Sequence, residues 1–341
     1  MLFSPIIVDK GLSVKNRLVM APMCMYKAGA DGKVTNFHIN HYIARAMGGV
    51  GLIMLEATGV EERGKLTDQC LGIYEDAHIE GLAKIVKAVK ENGAKIAIQL
   101  AHGGRKSLAT VDEVYGPTDV PFSDKYPTPT AMTQSHIDSF VVSYKAAAVR
   151  AKLAGFDMVQ VHAAHGYLLS SFLSPLTNTR TDEYGGSVEN RTRLLRQVIE
   201  AVTEGFAGPV CVRVNGSDNA EGGITASDMA EIVNLVKDTG ICILDVSSGS
   251  VVDIKENHFV GHQVPHAEVI RNSTDMPVMA GGLLTDPKQM NEILRDGKAD
   301  MIFVGRELLR NPFFALMAAY ELGVEVPSPY AARPTGLAFV R

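Results

Sequence analysis

Three chemically active side chains, His162, His165 and Tyr167, stand in the segment His-Ala-Ala-His-Gly-Tyr. The segment directly follows residues 156–161, an apolar run that is typical of a buried β-strand. Two imidazoles can stabilise a developing oxyanion, and a phenol beside them can deliver a proton. These residue types at this spacing therefore predict chemistry on a carbonyl compound.

Two other interpretations of the histidines stay open. Their spacing could place both on one side of a metal ion, but a catalytic zinc needs a third ligand and the sequence marks none. A structural role is the ordinary fate of a single histidine. Two histidines and a tyrosine at the mouth of one strand favour the catalytic interpretation, because barrel enzymes carry their chemistry at strand ends.

Strand alternation predicts further polar side chains in the interior of the fold. In residues 209–216 three alternating valines must face surrounding helices, so Arg213 points inward. The same alternation directs Gln99 and His162 inward from their own strands. Branched aliphatic side chains normally fill a barrel interior, so these residues at successive strand ends predict a polar site.

Arg213 is the most informative of these residues, because burying an unpaired guanidinium is costly. Its own strand contains no acidic residue. An ion pair with a distant Asp or Glu is one explanation. An anionic ligand at the top of the barrel is the other, and we favour the ligand.

The ends of the seventh and eighth predicted strands carry glycines. Gly281 and Gly282 follow one strand, and Gly305 with Arg306 follows the other. Glycine lets a ligand approach backbone N–H groups closely, and many barrels bind phosphate at these two strand ends. Turns alone would explain either pair, but two pairs with an attached arginine favour a phosphate site.

Short apolar runs and helical patterns alternate along the whole chain. The runs are residues 17–20, 50–58, 95–102, 157–164, 209–216, 241–248, 277–283 and 301–306, and the helical patterns are residues 78–93, 135–155, 190–205, 225–240, 286–298 and 312–323. Eight strands, each followed by a helix, predict one (β/α)8 TIM barrel over residues 1–341, with a Pro-rich tail from about residue 326. A doubly wound sheet is the main rival, but no Gly-x-Gly-x-x-Gly follows any strand.

Composition excludes several classes of function. The net charge of −5 gives no electrostatic basis for binding nucleic acid or an anionic membrane. No apolar run is long enough for a transmembrane helix, and the N-terminus has no signal-peptide pattern. The four scattered cysteines argue against a disulfide framework, a zinc ribbon or an iron–sulfur cluster, so we expect a cytoplasmic protein.

Motifs along essentially the whole chain carry a family resemblance. They lie at residues 16–26, 98–102, 162–167, 180–187 with 189–191, 212–214 and 304–306. Their order and spacing resemble the old yellow enzymes, FMN-dependent ene-reductases on a (β/α)8 barrel. The resemblance is to the thermophilic-like bacterial branch of NADPH dehydrogenases in particular, because Cys24 and His165 replace a Thr and an Asn of the yeast and plant members.

The resemblance implies a role for each matching residue. It implies an FMN site made of Ala21, Pro22, Met23, Cys24, Ala57, Gln99, Arg213, Gly281, Gly282, Gly305 and Arg306. His162 and His165 would hydrogen-bond the substrate carbonyl oxygen, and Tyr167 would donate the proton. Tyr26 would face the substrate, and Cys24 would tune the flavin. Arg333 is the best match to an arginine that enters a neighbouring subunit's active site, and Lys106 matches a lysine near the site.

The implied reaction is a ping-pong cycle. NADPH reduces tightly bound, non-covalent FMN, and hydride then passes from flavin N5 to the activated C=C bond of an enone while Tyr167 protonates the other carbon. Nitro compounds and quinones are further expected substrates, and a homodimer or homotetramer is the expected assembly. The rival enzyme class is a flavin-free phosphate-binding barrel, such as an aldolase or isomerase, for which Glu56 and Asp245 are the only candidate bases.

Overall fold

A closed barrel of eight parallel strands forms the centre of the computed structural model, which describes residues 1–8 and 11–327. Arg333 and most of the Pro-rich tail lie outside the described residues. The strands are β1 (Ile6–Val8), β2 (Leu12–Val14), β3 (Leu18–Met20), β4 (Leu52–Gly59), β5 (Lys95–Ala101), β6 (Tyr115–Gly116), β7 (Thr130–Ala131), β8 (Met158–Ala163), β9 (Val210–Asn215), β10 (Ile241–Ser247), β11 (Val278–Ala280) and β12 (Met301–Val304). The barrel order is β3-β4-β5-β8-β9-β10-β11-β12, closed by β12 on β3.

Helices connect successive barrel strands, as the predicted (β/α)8 architecture requires. They are α1 (Asn36–Met47), α2 (Ile79–Glu91), α3 (Gln134–Leu153), α4 (Leu168–Leu173), α5 (Val188–Phe206), α6 (Ala226–Val236), α7 (Val264–Thr274), α8 (Pro287–Arg295), α9 (Arg306–Arg310) and α10 (Phe314–Glu321). The TIM-barrel prediction is confirmed, and the closed barrel excludes the doubly wound sheet. Within the described ranges, each helix is too short or too polar to cross a membrane.

The core has two layers that follow the alternation of the strands. Outward-facing residues such as Ile98, Val161 and Val212 pack with the helices in one cluster. Inward-facing residues such as Ala97 and Cys211 belong to a second cluster inside the barrel. The predicted orientation of these strands is therefore confirmed, and it directs Gln99, His162 and Arg213 toward the barrel axis.

An N-terminal hairpin of β1 and β2 supplies Val8, Leu12 and Val14 to the inner cluster. These strands did not stand out in the sequence because each has only three residues. Helix α1 was also not predicted. Its buried face includes His38, His41 and Arg45, so polar residues interrupt the apolar pattern that marks other helices.

Candidate active site

The end of β8 makes a tight turn that positions three of the predicted site residues. β8 ends at Ala163, and His165 and Gly166 both take positive φ angles, 61° and 69°. A glycine is needed at residue 166, because an added Cβ would lie 2.6 Å from the carbonyl oxygen of Ser250. The Lys106 ammonium donates to the carbonyl oxygen of His165 at 2.9 Å and to that of Ser250 at 2.8 Å. The turn is thereby fixed to two neighbouring loops.

This turn brings the two imidazoles and the phenol together. The ring centroids of His162 and His165 are 5.2 Å apart, and the Tyr167 ring lies 5.1 Å from His162 and 6.4 Å from His165. The rings are nearly perpendicular, so the histidines present different edges. The predicted grouping of these residues is observed.

Hydrogen bonds define which nitrogen of each histidine carries the proton. The backbone N–H of Ala164 donates to Nδ1 of His162 at 3.3 Å, so the neutral ring has its proton on Nε2. Nε2 of His165 lies 2.6 Å from Oγ of Ser247. That oxygen already accepts hydrogen bonds from Arg213 and Gln263, so its own O–H is free to donate to His165.

The proton of His165 is therefore assigned to Nδ1. The site then contains two N–H donors, Nε2–H of His162 and Nδ1–H of His165. Neither has a protein partner among the described residues.

Both histidines are held neutral. Burial lowers the pKa of His162 and of His165 well below the ordinary value, and the positive charges of Arg213 and Lys106 lower both pKa values further. Burial likewise raises the pKa of the Tyr167 hydroxyl, and the nearby Cys24 adds to that shift. The site therefore contains neutral hydrogen-bond donors and a protonated phenol.

The acidic neighbour of Arg213 comes from the adjacent strand of the barrel. The register of β9 and β10 places Asp245 opposite it, with the Asp245 carboxylate 3.7 Å from Nε. Nε makes no hydrogen bond in the described structure, while an outer nitrogen donates to Ser247 at 3.4 Å. The ion-pair explanation thus holds in part, because Asp245 balances the charge of Arg213 although no hydrogen bond joins the two side chains.

A chain of amides neighbours this ion pair inside the barrel. Gln99 donates to Gln160 at 2.7 Å, and Gln160 donates to the Asp245 carboxylate at 2.9 Å. Burial raises the pKa of Asp245, and the opposing effect of Arg213 is smaller. Asp245 is therefore held by Gln160 and Arg213 rather than placed as the base of an aldolase-like reaction.

A cavity of about 490 Å³ opens beside the β8 turn at the carboxyl ends of the strands. The predicted residues that line it are Ala21, Pro22, Met23, His165, Tyr167, Arg213, Gly282, Gly305 and Arg306. Six predicted residues, all within the described ranges, are not part of this lining: Cys24, Tyr26, Ala57, Gln99, His162 and Gly281. Three residues of this lining each contain a buried polar atom without a protein hydrogen bond: Arg213 Nε, Ser248 Oγ and Gln263 Oε1.

The predicted glycines at the ends of β11 and β12 differ in what surrounds them. A Cβ on Gly282 would lie 2.7 Å from the His262 ring, whereas a Cβ on Gly305 would meet only Met23 and Ala21 at ordinary contact distances. A Cβ on Gly281 would lie 2.3 Å from the Phe303 ring, so packing accounts for this glycine. Gly305 therefore leaves open backbone at the cavity, where the predicted phosphate site requires it.

Three of the predicted residues outside the cavity lining, Cys24, Tyr26 and Ala57, are linked to a small buried cluster next to Tyr167. Cys24 and Tyr167 pack against a small buried cluster that includes Ala57 and Cys70. Tyr26 is 47% exposed, and a hydrogen bond joins its side chain to Cys24. Burial is the largest cause that raises the Tyr26 pKa to about 12.

Comparison with known proteins now decides the family. The sequence model of the NADH:flavin oxidoreductase / NADH oxidase family matches residues 1–325. The chain belongs to this family. The chain is 50% identical to the NADPH dehydrogenase of Bacillus subtilis (strain 168) over 329 residues, which cover 96% of this chain and 97% of that protein. The family match and this similarity identify the chain as an oxidoreductase.

Solved structures in the family agree with the fold. Morphinone reductase is 29% identical, with a TM-score of 0.82 over 99% of this chain and 94% of its own. The old yellow enzyme homologue from Zymomonas mobilis is 28% identical, with a TM-score of 0.79 over 100% of this chain and 99% of its own. The resemblance to the old yellow enzymes is therefore confirmed.

Sequence analysis missed two residues of the site, Ser247 and Gln263. Ser247 ends β10, and the rule that selected His162 at the end of β8 could have selected it. Gln263 stands immediately before α7, where no strand pattern or spacing marks it. Metal ligation of the histidines has no support, because the described residues contain no group of three potential ligands.

Proposed function

We propose that this chain is an FMN-dependent NADPH dehydrogenase that reduces the activated C=C bond of α,β-unsaturated carbonyl compounds. Nitro compounds and quinones are proposed as further substrates. One observation carries the proposal: the two neutral N–H donors of His162 and His165 stand beside the protonated phenol of Tyr167 at the mouth of one strand. His165 and Tyr167 line a cavity that also contains Arg213 and Arg306.

The cavity wall suits FMN in its hydrogen-bonding groups. Ser248 Oγ offers a donor and Gln263 Oε1 an acceptor, both buried without a protein hydrogen bond, and Arg213 Nε is held only by its ion pair with Asp245. A flavin ring edge carries both carbonyl acceptors and an N–H donor. The open backbone at Gly305 and the Arg306 side chain would hold the phosphate, while Ala21, Pro22 and Met23 would contact the ring. When bound, FMN would accept hydride from NADPH and supply it to an electron-poor carbon.

The histidines would bind and polarise the substrate. Two N–H donors at one carbonyl oxygen stabilise the negative charge that develops there, and such donors are worth about 3 kcal/mol each. Their neutrality suits this task, because a fully protonated pair would be costly to hold in the same buried site. Ser247 would keep His165 in the required tautomer.

Tyr167 would supply the proton. Its raised pKa keeps the hydroxyl protonated across the neutral pH range, and its ring lies beside both histidines. A carbon next to a histidine-bound oxygen would therefore lie near a weak acid that transfers its proton only to a strongly basic, carbanion-like centre. Cys24, which packs on the same cluster as Tyr167, would contact the flavin.

Cofactor identity and activity test the proposal directly. The purified protein should be yellow, and heat-released pigment should have the mass of FMN. Anaerobic NADPH should bleach the flavin band, and an enone such as cyclohexenone should restore it. Protein that stays colourless after incubation with FMN, or whose bleached band no enone, nitro compound or quinone restores, would contradict the proposal.

The remaining expectations concern organisation and assembly. We propose that residues 1–341 form one FMN-binding barrel domain, and that the protein is a cytoplasmic homodimer or homotetramer. The compact barrel of the described residues supports one domain. Arg333, proposed to reach a neighbouring active site, lies outside those residues. Sedimentation equilibrium of the wild type and of Arg333→Ala, with enone turnover of both, tests this assembly.

A further inference from the structure

Two cysteines lie together beside the proposed active site. Cys70 is buried with Ala57, Leu66 and Ala101, and Cys24 packs against this cluster together with Tyr167. The side chains of Cys24 and Cys70 are close enough for each thiol to shift the pKa of the other, and all four cysteines are free thiols. Cys24 is partly exposed and Cys70 is buried, so one member of the pair is open to small molecules.

Backbone contacts fix the two loops that carry these thiols. The N–H of Met25, next to Cys24, donates to the Glu56 carboxylate at 2.9 Å. The N–H of Ala28 donates to the carbonyl oxygen of Gln69, next to Cys70, at 3.1 Å. A turn from Thr67 to Cys70 is closed by a 3.1 Å backbone hydrogen bond. The loops that carry the two thiols are therefore fixed next to each other.

The surroundings of Cys70 stabilise negative charge on sulfur. Its pKa is lowered, first by the Cys24 thiol and then by the side chain and backbone N–H of Thr67 and the N–H of Leu66. The Thr67 hydroxyl lies 3.5 Å from the Cys70 sulfur. The pKa of Cys24 is raised, chiefly by the Cys70 thiol and by burial. When the pair carries a single negative charge, its surroundings therefore stabilise that charge mainly on Cys70.

The other two cysteines have different surroundings. Cys211 and Cys242 belong to the cluster inside the barrel. Burial raises the pKa of the Cys211 thiol, so Cys211 stays protonated and shielded. It accepts a hydrogen bond from Gln160 at 3.3 Å. Cys211 is thus a matched internal control for reactivity.

We propose that Cys24 and Cys70 form a reversible redox pair, a dithiol that a hydroperoxide converts to a disulfide beside Tyr167. The features of redox-sensing cysteines are divided between the two thiols: negative charge is stabilised on Cys70, Cys24 is partly exposed, and each has the other as a neighbouring thiol. This inference does not depend on the proposed function, because the oxidation needs only the two cysteines and the peroxide.

The steps balance with hydrogen peroxide as oxidant. In the singly ionised pair, when the proton lies on Cys70, the partly exposed Cys24 thiolate attacks one peroxide oxygen, which breaks the O–O bond and releases hydroxide. Cys24 is then a sulfenic acid, and the hydroxide takes the proton of Cys70 to form water. The Cys70 thiolate attacks the Cys24 sulfur, forms the S–S bond and releases a second hydroxide, which solvent protonates. Sulfur is oxidised by two electrons and the peroxide is reduced to two waters.

Intact mass and peptide mapping of the purified holoprotein test the pair. After stoichiometric hydrogen peroxide and denaturing alkylation with iodoacetamide, the number of alkylated thiols should fall from four to two. A non-reducing digest should contain one peptide pair, joined through Cys24 and Cys70. Dithiothreitol should restore all four alkylations. Flavin-free protein treated in the same way should form the link as well, because the oxidation needs only the two thiols and the peroxide, and this second measurement separates the result from that of the proposed function.

Two variants sharpen the result. Cys70→Ala should give no cross-link and should leave a Cys24 sulfenic acid that dimedone traps, whereas Cys211→Ser should form the Cys24–Cys70 link as the wild type does. The proposal is overturned if wild-type Cys24 proceeds to a sulfinic acid while Cys70 is still alkylated. Four alkylated thiols in peroxide-treated wild type would overturn it equally, and that measurement needs no variant to fold.

Discussion

The ammonium nitrogen of Lys106 lies 5.3 Å from the centroid of the Tyr167 ring. The same nitrogen is 4.3 Å from the centroid of the Phe122 ring, and it donates to the carbonyl oxygens of His165 and Ser250. Burial lowers the Lys106 pKa to about 8, and the charge of Arg105 lowers it further. Lys106 therefore joins the β8 turn, the Ser250 loop and the ring of the proposed proton donor.

Removing this ammonium should loosen the turn. Lys106→Met leaves two carbonyl oxygens without a charged donor, so we expect the free energy of unfolding to fall by about 2 kcal/mol. Binding of phenols, which resemble an enolate, should also weaken because the histidines are less well positioned. Denaturant unfolding and phenol titration measure the two effects. Lys90→Met is the control, since Lys90 donates to the Gly155 carbonyl oxygen at an exposed position far from the site.

Tyr167→Phe separates proton donation from flavin reduction. The ring packing persists in the variant, but the acidic O–H is lost. Stopped-flow measurements should show nearly unchanged reduction by NADPH and a strongly slowed reoxidation by cyclohexenone. Equal losses in both half-reactions would remove Tyr167 from the role of proton donor.

Ser247→Ala tests the assigned tautomer of His165. Without the Ser247 hydroxyl, Nε2 of His165 loses its donor, and the preference for a proton on Nδ1 disappears. We expect phenols to bind roughly tenfold more weakly, which corresponds to the loss of one hydrogen bond. The measurement is titration of the long-wavelength charge-transfer band that bound phenols produce with flavin. The double variant His162→Ala with His165→Ala should abolish the band, and an unchanged band there would reject the oxyanion site.

Much of the fold was predictable because barrel strands repeat one simple pattern. Alternating valines in β9 determined the inward direction of Arg213, and the end of β8 located the reactive segment. These are local features of the sequence. They required no knowledge of which strands pair.

Contacts between different strands were not predictable in the same way. Arg213 meets Asp245 because β9 and β10 pair in one particular register, and His165 meets Ser247 across the strand between them. The association of Cys24 with Cys70 depends on how two loops above the barrel pack. Such contacts follow from the closed geometry of the barrel, which no single segment encodes.

Glu56 makes the stability of the protein depend on pH. Its carboxyl group is fully buried, where it accepts hydrogen bonds from Met25 and from the Tyr42 hydroxyl, and burial raises its pKa from 4.5 to about 7. His38 lies 3.6 Å away but cannot compensate, because burial lowers the His38 pKa to about 4. Glu56 therefore holds its proton in the folded state at pH values where the unfolded chain has released it.

The sign of the effect follows from this difference. The contribution of Glu56 to stability is fully present below about pH 4.5, and it is lost as pH rises toward about 7. The shift corresponds to about 3 kcal/mol across that range. Glu56→Gln should remove this part of the pH dependence in denaturant unfolding between these pH values. Glu80→Gln, at an exposed site, is the control and should keep the wild-type slope of unfolding free energy against pH. If that slope were also unchanged in Glu56→Gln, Glu56 would be ionised in the folded protein throughout this pH range.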